Sequence, residues 1–285
     1  MSEEQSKFLP FIEHLVELRK RLIIIVFTVF IGMGVAWNLT DEILVYMEKP
    51  LTGTTYIHEL KLKLYLHLKD NYPTLYKRGE FDKEVNKPHK QHALNYTKPL
   101  EPFFIQCKIS VIAGFILSLP VVFYQIWAFV APGLTRRERS LVIPFMLTGT
   151  FAFCLGAFFF LTTVWPFIIN FSLSYETEGL RSWLSLSAYV DFCLRLILMF
   201  GLMAELPVIT LLLSRFGLVS YSFLAPKRKY ALLLSSIVAA FHSDLVTMFV
   251  IMIPMYMMYE VSVWVAAIFG KKKTPPPLEP EPEAV

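Results

Sequence analysis

The stretch FYQIWAFVAPGLTRRERS, residues 123–140, decides how the rest of the chain is read. It closes a long apolar run, carries Trp127 and Phe129, breaks at Pro132-Gly133, and sets out Arg136, Arg137 and Arg139 before the next apolar run begins. Aromatic residues at a boundary, a Pro-Gly break and a basic cluster mark a membrane-spanning helix ending on the cytoplasmic side. Glu138 is the single acid inside that cluster.

Composition agrees with a membrane chain. Of 285 residues 55% are hydrophobic and only 18% charged, against about 25% charged in an ordinary soluble domain. Mean hydropathy is +0.52. The net charge of +4 is mild, so its distribution carries more information than its size. Cys107, Cys154 and Cys193 all fall in apolar runs, which implies no disulfide framework. The acidic, polar first residues do not resemble a cleavable signal peptide.

Six apolar runs follow: Leu22–Trp37, Phe103–Phe123, Ser140–Pro166, Tyr189–Leu213, Ala231–Phe241 and Leu245–Phe269. The fifth, at about 17 Å of helix, is short for a hydrocarbon core of about 30 Å. Phe8, Phe11, Ile12, Leu15, Leu18 and Leu22 recur at helical spacing ahead of the first run, with Glu13, Glu17 and Arg21 on another face. Glu17 is read as pairing with Arg21 one turn on and Glu138 with a neighbouring arginine, against the alternative that both present carboxylates to a basic ligand. The basic residues Arg19–Arg21, Arg136, Arg137, Arg139, Arg215, Lys227–Lys229 and Lys271–Lys273 all fall on one side of a six-span arrangement. That side is the cytoplasm, and both termini lie there. The fold expected is all-α and polytopic, a six-helix domain over residues 1–270 followed by a disordered basic and Pro-rich tail, 271–285.

Between the first two spans, residues 38–102 form a long loop with ten basic and nine acidic residues. Within it LKLKLYLHLK, residues 60–69, alternates strictly and predicts a small β insert outside the membrane. The histidines of this loop lie in a lysine-rich context that does not suggest a metal site.

Four acids stand inside or beside the spans. Glu205 is the costliest, about 2.5–3.5 kcal/mol near a helix centre on insertion scales. It precedes Leu206-Pro207, where a kink is expected. It is read as a contact for an incoming helix or as a proton site, against the plainer alternative of a bond to a neighbouring span. Asp191 is expected to pair with Arg195 on its own helix, Glu260 to make an interhelical hydrogen bond beside Tyr259, and Asp244 to turn the last outer hairpin. Nucleotide loops, zinc-protease motifs and hydrolase triads are missing from the sequence, so no enzyme and no cofactor is expected. A proton-coupled solute carrier built on Glu205 would call for inverted repeats, and none is visible.

FIEHLVELRKRL (11–22), YTKPLEPFF (96–104), LSLPVVFYQIWAFVAPGLTRRERS (117–140), FGLMAELPV (200–208) and IPMYMMYEVS (253–262) together resemble the TatC family, the core subunit of the twin-arginine protein translocase. The resemblance runs through all six spans in order. It implies binding of twin-arginine signal peptides at the cytoplasmic face by Glu17 and Glu138, with His14, Leu18, Arg19 and Phe129 nearby. It implies that Glu205 contacts a partner helix. It also implies assembly with TatA and TatB-type single-span subunits in the bacterial cytoplasmic membrane, export of folded proteins at the expense of the proton-motive force, and no nucleic-acid partner. The segment HSDLVTM (242–248) departs from the family pattern and leaves a transport role for Asp244 open. The long first loop also exceeds the family's usual form.

Overall fold

A computed structural model describes residues 3–52, 63–64, 66–67, 69, 92–130, 142–177, 182–240 and 245–270. The described residues are overwhelmingly helical, and their only β pairing is isolated bridging, as between Asn95 and Ser185. The chain divides into two compact units, Met1–Glu205 and Leu206–Val285.

In the first unit α1 (Glu3–Ala36) runs unbroken from the amphipathic lead-in through the first apolar run. It packs along α3 (Glu101–Val130) where both helices shed side chains. A Cβ on Gly114 would sit 2.3 Å from the Met33 backbone nitrogen, and one on Gly32 would sit 2.5 Å from the Gly114 carbonyl oxygen. Backbones this close exploit small residues, the usual way helices associate without a hydrophobic driving force. Ser118 donates its hydroxyl to the carbonyls of Gly114 (2.7 Å) and Thr28 (3.1 Å), tying the same crossing.

The third apolar run becomes α4 (Val142–Phe159), a π-helical turn at Phe160–Val164, and α5 (Trp165–Leu173). Pro166 supplies the reason for the widened turn: it lacks an N–H and its ring would crowd the preceding turn of a regular α-helix. The fourth run is α6 (Leu186–Arg215), whose backbone helix continues through Pro207. α4 and α6 cross at Gly156, where a Cβ would meet the Phe200 carbonyl oxygen at 2.5 Å, and at Gly201, which receives the fully buried Phe153 ring.

A helix that periodicity did not signal, α2 (Thr40–Thr52), follows α1 in the outer loop. Asp41 and Glu42 at its start and Lys49 at its end suit the helix dipole. Its Met47 is fully buried, and the Met47 carbonyl accepts from both Trp165 Nε1 (3.0 Å) and the Tyr189 hydroxyl (2.7 Å).

Two expectations are corrected here. The alternating segment is not extended where it is described: Lys63, Leu64, Leu66, His67 and Lys69 are helical. Leucine and lysine are strong helix formers and the stretch has no β-branched residue, so propensity prevails over alternation. Asp191 pairs not with Arg195 but with Lys108 of α3, whose Nζ lies 2.7 and 2.8 Å from its two oxygens. A cation on a facing helix meets both carboxylate oxygens with a strong charge-assisted geometry that a neighbour on the same helix need not match.

In the second unit α6 ends on Gly217, whose φ of 77° is the left-handed conformation that glycine adopts without strain. Leu218 N–H returns to the Leu213 carbonyl at 2.9 Å and closes the cap. α7 (Arg228–Ala240) and α8 (Leu245–Phe269) form the last hairpin. Glu260 accepts from Arg228 Nε (2.9 Å) and from the Tyr256 hydroxyl (2.7 Å), while the Tyr259 hydroxyl donates to the Leu224 carbonyl (2.7 Å). The interhelical bond expected of Glu260 is present, with arginine as the donor.

Among the described residues five helical stretches are long and apolar enough to cross a membrane. The remaining apolar helix, α7, has 13 residues, about 20 Å of rise.

Candidate functional site

Helical spacing places His14, Glu17 and Arg21 along one face of α1. The expected pair forms: Arg21 donates to Glu17 Oε1 through Nε at 3.2 Å and through a terminal nitrogen as well. Its other terminal nitrogen reaches Gln125 Oε1 on α3 at 3.4 Å. On the far side of the carboxylate, Glu17 Oε2 lies 3.8 Å from His14 Nδ1. His14 in turn stacks on Phe129, ring centroids 4.3 Å apart and planes 16° from parallel. The lead-in motif of α1 and the aromatic end of α3 are therefore one site.

Glu17, Lys20, Arg21, Ile24, Tyr124 and Gln125 line an open cleft of about 340 Å³. Leu18 and Arg19 are exposed on the same turn of α1. The cleft offers a half-exposed carboxylate, hydrogen-bonding amide and phenol groups and an aromatic shelf. Two cations, Lys20 and Arg21, line it beside the one carboxylate, which Arg21 already engages. Glu138 lies outside the described residues, eight positions beyond the last residue of α3. Trp127, read from the sequence as a boundary aromatic, is instead buried edge-on against Phe145 at 5.1 Å. Sequence reading passed over Tyr124, Gln125 and the cleft role of Lys20. A glutamine inside the apolar final third of α3, four residues before Phe129, was the available signal.

Glu205 forms a second centre at the other extreme of burial. It is 4% exposed, and neither carboxylate oxygen makes a hydrogen bond of ordinary geometry among the described residues. The Phe153 backbone N–H lies nearby without closing one. Space for the carboxylate comes from Gly149, where an added Cβ would stand 3.2 Å from Oε2 and 3.4 Å from the Phe123 ring. Asp244 lies outside the described residues. No cluster of three or more potential metal ligands occurs among the described residues.

These features define a class: a multi-pass helical membrane protein with a charged cleft between its first two long apolar helices. The chain belongs to the TatC family of Sec-independent protein translocase proteins, whose family model matches residues 13–254. It is 33% identical over 275 residues to the TatC of Desulforapulum autotrophicum, covering 96% of this chain and 89% of that protein. To the TatC of Aquifex aeolicus it is 30% identical over 268 residues, covering 93% of this chain and 98% of the relative. A crystal structure described as the twin arginine translocase receptor TatC is similar with a TM-score of 0.68 and 29% identity, over 89% of this chain and 97% of that one.

Proposed function

We propose that this protein is the receptor subunit of a twin-arginine translocase. It binds twin-arginine signal peptides at the cytoplasmic face of a bacterial inner membrane, with both termini on that side. The receiving groups are Glu17 and Glu138, supported by His14, Leu18, Arg19 and Phe129. It works without catalysis, assembling with TatA and TatB-type single-span subunits to export folded proteins on the proton-motive force. Glu205 is the contact for a partner helix, and any transport role of Asp244 stands apart from peptide binding.

The observation that carries this reading is the stack of His14 on Phe129 with Glu17 alongside. It joins the acid of α1 to the end of α3, the point from which the chain leads to Glu138. Two planar guanidinium groups ask for carboxylates that accept two parallel N–H donors each, and Glu17 already engages a guanidinium through two nitrogens. The test is photocrosslinking of a twin-arginine peptide to Glu17→Gln and Glu138→Gln in membranes. Loss in both variants with normal membrane insertion is expected, and undiminished crosslinking in both rejects the assignment.

A further inference from the structure

We propose that Arg21 is a built-in competitor for the Glu17 carboxylate, a tethered guanidinium that an arriving arginine displaces in order to bind. This rests on the reading of Glu17 as a receiver. Arg21 presents to Oε1 the same two-nitrogen contact that a peptide arginine would make. The site in its resting state is therefore occupied by its own ligand mimic. The displaced side chain has a place to go, because its remaining terminal nitrogen is already 3.4 Å from Gln125 Oε1 on α3. Both partners are reachable, with side chains 22% and 33% exposed, so exchange needs no opening of the helical frame. Oε2 lies 3.8 Å from His14 Nδ1 and takes no part in the Arg21 contact among the described residues, so it gives the newcomer a first foothold.

Competition of this kind lowers the affinity of every cation that seeks Oε1. A forked guanidinium tolerates the loss. A lysine ammonium, a point charge without the fork, falls below useful binding. Arg21 thereby sets the threshold for recognition, while Glu17 and its neighbours set the preference. Lys20 lines the same cleft without bonding Glu17, so it provides a control of equal charge.

The experiment is a fluorescence titration of full-length protein in nanodiscs with a labelled twin-arginine peptide and its twin-lysine counterpart. Arg21→Ala is expected to tighten both peptides by about twofold to fivefold, the scale of an exposed ion pair. Arg21→Lys should tighten them less, and Lys20→Ala should change them less than Arg21→Ala. Weaker or unchanged binding in Arg21→Ala, alongside loss of binding in Glu17→Gln, overturns the competitor and leaves the receiver standing. Equal tightening in Lys20→Ala and Arg21→Ala also overturns it, by reducing the effect to net charge. Wild-type binding in Glu17→Gln overturns the receiver and the competitor with it.

Discussion

Glu17 and Glu205 are the same side chain placed in opposite circumstances. Glu17 is half-exposed and sits among Arg21, His14 and the end of α3. Glu205 is buried against Gly149 and Phe123 with no hydrogen bond among the described residues. The first acid is satisfied yet exchangeable, since its partners are reached from water. The second is unsatisfied and enclosed, and a buried carboxylate without a partner is a standing cost to the fold. A group retained at such cost in a membrane-spanning stretch is by default a candidate for function. On the reading proposed above, the difference teaches that recognition and assembly would place contrary demands on a carboxylate: ready exchange at one site, and at the other a group kept from water until a partner helix supplies a donor.

The contrast is open to breaking. The largest effect should come from Glu17→Gln, which loses charge-assisted bonds to an arriving guanidinium. We expect twin-arginine peptide affinity to fall by about tenfold to a hundredfold with the melting temperature unchanged. A drop in melting temperature of similar size would make Glu17 a frame residue after all. Next in size, Glu205→Leu should raise thermal stability in detergent by about 1–2 kcal/mol, because an unsatisfied buried group is replaced by an apolar one of like volume. Export should fail and peptide binding persist, and a loss of stability would show that the carboxylate has an internal partner. Gly149→Ala should cost about 1 kcal/mol by crowding Oε2, and the cost should vanish in the Glu205→Ala background; additive costs would place the carboxylate elsewhere. Smallest, a double-mutant cycle between His14→Ala and Phe129→Ala should return a coupling of about 0.5–1.5 kcal/mol. Zero coupling would separate α1 from the end of α3.

Much of this was legible beforehand. The last span was read to its observed ends, Leu245–Phe269, because both are marked by a change of composition. The pairing of Glu17 with Arg21 follows from helical spacing alone. What escaped shares one cause: it depends on which helix faces which. Lys108 reaches Asp191 across 83 positions of sequence, and nothing on α6 foretells that a cation on α3 will take precedence over Arg195. Gln125 entered the cleft for the same reason. In the alternating segment the period and the residue propensities point to different structures, and the helical propensity of leucine and lysine prevails where the segment is described. α2 was hidden within a loop because a 13-residue helix with six polar or charged residues toward its ends looks much like the polar stretch around it. Glu138, the second acid proposed for the receiver, falls outside the described residues.

The widened turn at Phe160–Val164 has an effect that reaches past its own five residues. One added residue per turn shifts the angular phase of everything downstream by roughly a hundred degrees, so α5 faces a different neighbour from the one α4 would have met. That rotation is what aims the Trp165 indole at the Met47 carbonyl. Deleting a single residue from the turn would restore ordinary winding, swing the indole away, and leave the Met47 carbonyl of α2 to the Tyr189 hydroxyl alone, at a loss of one residue from the third apolar run.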